Sequence, residues 1–302
     1  MEELILSNID FTNCKRILGK AYNGANGNKI AIEYNNEIYM LKFAPSAANK
    51  PNELSYSNSN LSEHIASSIF NMLGVKAQET MLGTYTVKGK EKLVCACKDF
   101  TVNSNRLYDF CSIKNTIIDS ENNGTGTELT DILETIDKQQ FVNPDELRNF
   151  FWDMFIIDAL LGNFDRHNGN WGFLYNETTQ QSSIAPVFDC GSCLLPQADE
   201  KIMAAMLNNK DELNARIFTF PTSAIKYDGK KINYYDFISS TENSNCNNAL
   251  IRIYKKIDIA SINNFIDNVN YITDLQKEFY KTYINARYNH ILKTAFNKII
   301  NQ

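Results

Sequence analysis

Between Leu147 and Leu161 the chain places Phe150, Phe151, Met154, Phe155, Ile157 and Leu160 so densely that a helix built from them is apolar on most sides. A helix of that kind belongs at the centre of a core, where every face is covered. Its start is written in Asn143-Pro-Asp-Glu146, with Asn as the cap, Pro at the first helical position and an acid in the first turn. Polar chain follows at once, as Gly162-Asn-Phe-Asp-Arg-His-Asn-Gly-Asn-Trp171, then a short strand over Trp171 to Tyr175, then Ala185-Pro-Val-Phe-Asp-Cys-Gly191. A buried helix therefore delivers an acidic loop at its C-terminal end, and a strand, turn and strand carry the chain to a second acid.

Asp165, Asn170 and Asp189 fall in the order that phosphoryl transfer uses for a catalytic base, a second metal ligand and a main Mg²⁺ ligand. That reaction needs little covalent help: an alcohol must be positioned, hard cations held on oxygen, and phosphate charge neutralised. Asp165 would take the proton of the acceptor hydroxyl or orient it, while Asn170 and Asp189 would hold the metal. The chain is thus expected to bind ATP and Mg²⁺. Asn, Asp and Gly also crowd into ordinary surface turns, and the buried helix before the loop is what favours the catalytic reading.

The expected fold class is α+β: a two-lobed, protein-kinase-like fold with a small β-rich N-terminal lobe over residues 1–100 and a larger, mostly helical C-terminal lobe over 101–302. In the small lobe, strands at 29–34 and 37–43 joined by Asn35-Asn36 form a hairpin. Lys42 lies within the apolar strand Glu37-Ile-Tyr-Met-Leu-Lys-Phe43, where an ammonium needs an anionic partner; it is read as the lysine that reaches the phosphates, against the alternative of a solvent-facing strand lysine. Gly24 and Gly27 offer close backbone approach to phosphate, although GxxG is a weak pattern. Residues 44–60 form a polar, lid-like connection that is expected to be mobile. A helix over 60–73 carries Glu63, which either orders Lys42 or closes a local capping box with Asn60. Strands near 79–87 and 91–98 lead to a hinge, where the Lys98 carbonyl and Phe100 amide would read adenine. Residues 105–138 are expected to be helical around a disordered-looking insert at 121–126, and several helices follow 195, ending in a long one over about 273–300.

A length of 302 residues with 43% hydrophobic content suffices for a sizeable core. A net charge of −5 carries no basic footprint, so neither nucleic acid nor a membrane surface is an expected partner. The N-terminus has acids where a secretory leader would have Lys or Arg, which predicts a cytoplasmic protein and leaves export by a non-classical route open. Seven scattered cysteines argue against a disulfide framework. Cys190-Gly-Ser-Cys193 reads as small residues packed below the metal site, with a redox role as the lesser alternative. Of three dispersed histidines only His167 sits in the candidate site, where it would orient the catalytic loop; Arg166 would pair with a phosphate or with an acid of the loop after Asp189.

Asp165-Arg-His-Asn-Gly-Asn170 together with Val187-Phe-Asp189 resembles the catalytic and metal segments of the HipA-like serine/threonine kinases, and the likeness runs over nearly all of residues 10–295. Within it, Gly24 to Lys29 matches the family's glycine loop, Lys42 its phosphate lysine, Glu63 its small-lobe helix acid and Lys98 to Phe100 its hinge. The resemblance implies a protein kinase that uses ATP and Mg²⁺, phosphorylates Ser or Thr in proteins, and autophosphorylates. Two departures matter. Longer relatives carry an additional N-terminal region that helps engage a DNA-binding antitoxin, and the short stretch before Gly24 puts that partner in doubt. Their autophosphorylated serine lies in the glycine loop, whereas Lys20-Ala-Tyr-Asn-Gly-Ala25 has no Ser or Thr, so self-modification would fall on Ser46, Ser55, Ser57 or Ser59. A kinase of a small-molecule or lipid alcohol on the same fold is the alternative, and a non-catalytic nucleotide-dependent module the weaker one. The protein substrate and the oligomeric state are not legible in the sequence.

Overall fold

The computed structural model describes residues 8–20, 22, 29–44, 57–118 and 123–301. Gly24 and Gly27, Ser46 and Ser55, and most of the expected lid over 44–60 lie outside them. The small lobe is a five-stranded antiparallel sheet of β1 (Lys15–Arg16), β2 (Lys29–Tyr34), β3 (Glu37–Phe43), β4 (Thr80–Val87) and β5 (Lys90–Lys98), in the order β1-β2-β3-β5-β4. Asn35 and Asn36 turn β2 into β3 with φ of 50° and 63°, the left-handed pair that suits the twist of a two-residue hairpin. Helix α1 (Ser59–Met72) buries Leu61, Ile65, Ile69 and Phe70 against β4 and β5, and Gly74 closes the turn beyond it at φ 73°.

Three readings of the sequence need correction. Asn60 and Glu63 form no capping box: α1 starts at Ser59, its cap residue Asn58 makes no side-chain cap bond, and the Asn60 amide donates to the Leu93 carbonyl at 2.8 Å. Residues 105–109 are a strand, β6 (Asn105–Asp109), not the start of a helix; it pairs with β7 (Gly172–Asn176), which pairs with β8 (Gln181–Ile184). This pairing is non-local, joining segments more than sixty residues apart, so no local periodicity announces it. Residues 123–126 of the insert between α2 (Phe110–Ile117) and α3 (Leu129–Lys138) are held in place: the buried Asn168 amide donates to the carbonyls of Gly124 and Gly126 at 2.9 and 2.8 Å.

Helix α4 (Pro144–Leu161) is the centre of the large lobe. Asn143 caps it by accepting from the amides of Asp145 and Glu146, and Gly162 ends it in the left-handed conformation at φ 64°. A Cβ at Gly162 would collide with the Tyr283 hydroxyl and meet Pro221 Cγ at 2.9 Å, so the sharp exit into the acidic loop requires glycine. Around α4 stand α3, α5 (Glu200–Asn208), α6 (Lys210–Phe218), the short β9 (Lys226–Tyr227) and β10 (Lys230–Lys231) hairpin, α7 (Tyr234–Ser240), α8 (Ser244–Tyr254), α9 (Ile259–Asp267) and α10 (Asp274–Arg287). The expected long terminal helix is α10, a π-helical stretch over Tyr288–Lys293, and α11 (Thr294–Ile300) in succession. One apolar cluster runs from Met40, Leu61 and Cys95 of the small lobe through Phe151, Phe155 and Leu160 of α4 to Tyr283. A second, with Phe11, Ile32, Leu41 and Phe43, lies on the other face of the small sheet.

Candidate active site

The cleft between the lobes brings Lys42, Glu63 and Asp189 together. Lys42 Nζ lies 2.9 Å from Glu63 Oε2 and 2.9 Å from Asp189 Oδ1. Strand β3 supplies the lysine from its inner face, α1 the buried glutamate, and the turn after β8 the aspartate. Burial disfavours the Lys42 charge, but Asp189 and Glu63 together hold its pKa well above the ordinary value. Asp189 responds in the opposite sense: the Lys42 charge brings its pKa down to about 2. Its backbone has φ 57°, an uncommon conformation for a non-glycine residue and one found at functional turns. Glu63 Oε1 is buried without a hydrogen bond among the described residues, so the carboxylate is committed to the site through a single oxygen.

Opposite this cluster stands the loop that α4 delivers. Asn163 organises its entry: the side-chain amide donates to Asp158 Oδ1 at 2.7 Å, its Oδ1 accepts from the Asp165 amide at 3.0 Å, and its carbonyl accepts from the Tyr234 hydroxyl at 2.6 Å. The Asp165 carbonyl accepts from the Asn170 side-chain amide at 2.9 Å and from the His167 backbone amide at 2.8 Å. Asn170 is thereby fixed through Nδ2, which leaves Oδ1 as the atom a cation would take. The Asp165 carboxyl is raised above its ordinary pKa chiefly by burial, which His167 opposes and the charge of Asp189 reinforces. His167 is exposed, and its Nδ1 accepts from the Gly169 amide at 3.0 Å.

Arg166 does not pair with an acid of the loop after Asp189, and its burial leaves it no route to a phosphate. It donates to Asp158 of α4 at 3.0 and 3.2 Å, to the Asn170 carbonyl at 3.0 Å, to the Phe188 carbonyl at 2.6 Å, and to Cys190 Sγ at 3.3 Å. Burial disfavours its charge, yet Asp158 leads the groups that keep its pKa well above the ordinary value. One guanidinium thus locks the loop that holds Asp165 and Asn170 to the segment that ends in Asp189. The sequence held a signal for this: Asp158 has apolar residues on both sides, Met154 to Ile157 before it and Ala159 to Leu161 after it, and such a charge needs a buried partner. Cys190 and Cys193 are both free and buried beneath the same loop.

At the hinge, Lys98 ends β5 and its carbonyl accepts from the Gln78 amide at 2.9 Å, while its ammonium turns outward to Glu37 and Glu79 at 2.8 and 3.4 Å. Phe100 lies against Phe188 with ring centroids 5.8 Å apart, so the end of β5 and the segment that leads to Asp189 share one wall of the cleft. Asp99, which the sequence reading passed over, is buried and accepts from the Tyr22 hydroxyl at 2.6 Å and from Thr101 at 2.7 and 2.6 Å, and it pairs with Lys20. Among the described residues no three of His, Cys, Asp and Glu converge into a metal cage. A Mg²⁺ ion shared with a nucleotide does not need one, because it takes one or two protein oxygens and fills the rest of its shell from phosphates and water. The ionised Asp189 carboxylate and Asn170 Oδ1 fit that donor set.

Residues 22–260 match the family model described as the HipA-like C-terminal domain. The chain is 51% identical to the serine/threonine-protein kinase CtkA of Helicobacter pylori over 293 residues, 97% of this chain and 89% of that protein. The crystal structure of the H. pylori proinflammatory kinase CtkA matches it with a TM-score of 0.92 at 50% identity, covering 98% of each chain. A chain of the Shewanella oneidensis toxin–antitoxin complex of HipA, HipB and operator DNA matches with a TM-score of 0.54 at 14% identity, over 98% of this chain and 76% of that one, a likeness of fold alone.

Proposed function

On the footing that the chain belongs to the HipA-like C-terminal domain family, we propose that it is an ATP- and Mg²⁺-dependent serine/threonine protein kinase that also phosphorylates itself. The observation that carries this reading is the Lys42 ammonium at 2.9 Å from both Glu63 and Asp189, facing a loop in which Asn170 is tied to the backbone of Asp165. A lysine held by a helix acid, beside an ionised aspartate, is the arrangement that grips nucleotide phosphates in kinases.

Asp165 accepts the proton of the acceptor Ser or Thr hydroxyl on its carboxylate, a role suited to a base whose pKa is raised. Asp189 and Asn170 would hold Mg²⁺, which would neutralise phosphate charge. Lys42, kept in place by Glu63, holds the phosphates. The Lys98 carbonyl and Phe100 amide face adenine; Gly24 and Gly27, which the sequence offers as the phosphate-binding glycines, lie outside the described residues. His167, through its bond to Gly169, keeps the turn between Asp165 and Asn170 in shape. Ser57 and Ser59, at the start of α1, are candidate self-modification sites, with Ser46 and Ser55 earlier in the same connection. The partner is a protein bearing Ser or Thr; neither a nucleic acid, a membrane nor an antitoxin is part of the reading.

The test is incubation with γ-labelled ATP and Mg²⁺, alone and with a generic protein acceptor, beside Asp165→Asn, followed by phosphoamino-acid analysis. Label on Ser or Thr that disappears in the variant supports the proposal. Retained ATP binding with no protein label would move the acceptor to a small-molecule or lipid alcohol.

A further inference from the structure

The hairpin of β9 and β10 is tied to the acidic loop from both of its ends. The Lys226 amide donates to the Thr127 carbonyl at 2.8 Å, the Thr127 hydroxyl to the Ala224 carbonyl at 2.7 Å, and the Gly229 amide to Glu128 Oε2 at 3.2 Å. The preceding residues of that insert, Gly124 and Gly126, are gripped by Asn168 from within the loop. Just beyond β10, the Tyr234 hydroxyl reaches the Asn163 carbonyl where the loop begins. Two strands of two residues each, too short to hold a structure alone, are thus fixed beside Asp165.

This hairpin carries charge. Lys226 and Lys231 are direct Cα partners in its register, and both are exposed. Like charges directly opposite one another destabilise a sheet, yet none of the ion pairs among the described residues includes Lys226, Lys230 or Lys231. Glu128, bridged to Lys226 along the backbone, turns its carboxylate to the Gly229 amide. Asp236 and Glu242 line a hollow with Lys230 and Lys231 but pair with neither. Partners in register share a face, and their strand neighbours take the other. The Tyr227 ring lies toward α7, 6.2 Å from that of Phe237, and Lys230 is its partner; Lys226 and Lys231 therefore occupy the opposite face. The charge of Lys231 is felt at Asp165: burial raises that carboxyl, and Lys231 is among the cations that oppose the rise.

A base that takes the proton of Ser or Thr has the acceptor chain laid across it. An extended peptide advances about 3.3 Å per residue, so a side chain two or three positions from the acceptor lies about 7–10 Å from the hydroxyl. We propose that Lys226 and Lys231 form a subsite for an acidic side chain flanking the acceptor, so that the enzyme selects Ser or Thr in segments that carry Asp or Glu. The inference rests on the reading of the chain as a protein kinase with Asp165 as its base.

The experiment compares kcat/KM on three Ser peptides of equal length, flanked by Glu, by Gln or by Lys. The enzymes are wild type, Lys226→Gln combined with Lys231→Gln, and Lys226→Glu combined with Lys231→Glu. Two exposed ion pairs should favour the Glu peptide over the Gln peptide by about fivefold in wild type, through KM, and added salt should shrink the preference. The ratio should fall to near one in the Gln variant and turn toward the Lys peptide in the Glu variant, with the KM for ATP unmoved in both. Equal kcat/KM on the three peptides in wild type, or variants that lower all three alike, would overturn the subsite and leave the kinase reading standing. A raised KM for ATP would also overturn it, by placing the lysines on the nucleotide. Transfer to no peptide and no protein, with ATP still bound, would overturn the kinase reading and the subsite with it.

Discussion

Asp165 and Asp189 are two carboxylates driven apart by their surroundings, a separation that suits the different roles proposed for them. Burial lifts Asp165 above the ordinary carboxyl value of 3.8, while the Lys42 charge brings Asp189 to about 2. A base must be ionised to accept a proton, so the acid limb of kcat/KM should lie above pH 3.8 and activity should fall as pH drops through it. A pH–rate profile with its acid limb below that value would remove Asp165 from the role. The same shift has a stability consequence: the ionised form is penalised by folding at neutral pH, so Asp165→Asn should keep or raise the Tm while transfer falls by more than about 10²-fold. Thermal unfolding and single-turnover assays on that one variant check both halves. Asp189→Ala should instead weaken Mg²⁺-dependent nucleotide binding, read by titration with and without the metal. These residues were singled out in the sequence because phosphoryl transfer dictates their types and order, and the structure places Asp189 beside Lys42. Glu63 was not decided by it, since an acid three residues after Asn60 fits a capping box and a lysine partner equally; the helix start at Ser59 and the buried path to Lys42 settle the matter.

Helix α4 and the loop it feeds behave as one element because Arg166 closes the loop back onto Asp158. Both side chains are about 1% exposed, and removing one partner would leave the other as an uncompensated buried charge. Arg166→Met should therefore cost roughly 3–5 kcal/mol in denaturant unfolding, and Asp158→Asn a comparable amount. Combined, the two substitutions should cost less than their sum, because the double variant buries no lone charge. Simple additivity would mean that the bonds from Arg166 to the Asn170 and Phe188 carbonyls matter more than the ion pair. At this scale the sequence was read well where structure is local: the cap at Asn143, the spine of α4, the Asn35-Asn36 turn. It was read poorly where order arrives from far away. Strand β6 exists because β7 pairs with it, and residues 123–126, whose Gly and Thr content looks solvated, are ordered by a side chain from the catalytic loop.

The two lobes are joined by more than a hinge. Ala77 bridges Val187, the Gln78 amide donates to the Val187 carbonyl at 2.8 Å, and the Val187 amide donates to the Lys76 carbonyl at 2.9 Å. Beneath that seam the apolar cluster passes without a break from α1 and β5 into α4. Separating the small lobe from α4 would cut through that cluster and leave apolar surface on both sides of the cut in water. Unfolding should accordingly be a single transition. The chain offers a direct test, since both tryptophans, Trp152 and Trp171, lie in the large lobe: their fluorescence follows that lobe alone, whereas far-UV circular dichroism follows both. Coincident denaturant curves would mean that the lobes fold as one body, and a fluorescence transition displaced from the dichroism would mean that they do not. Nucleotide binding at the seam then stabilises the whole chain, by about 2.7 kcal/mol at a hundredfold excess over Kd, so Mg²⁺ and ATP should move both signals together. Movement of the fluorescence alone would place the ligand in the large lobe and break the link from Lys42 to Asp189 on which the site depends.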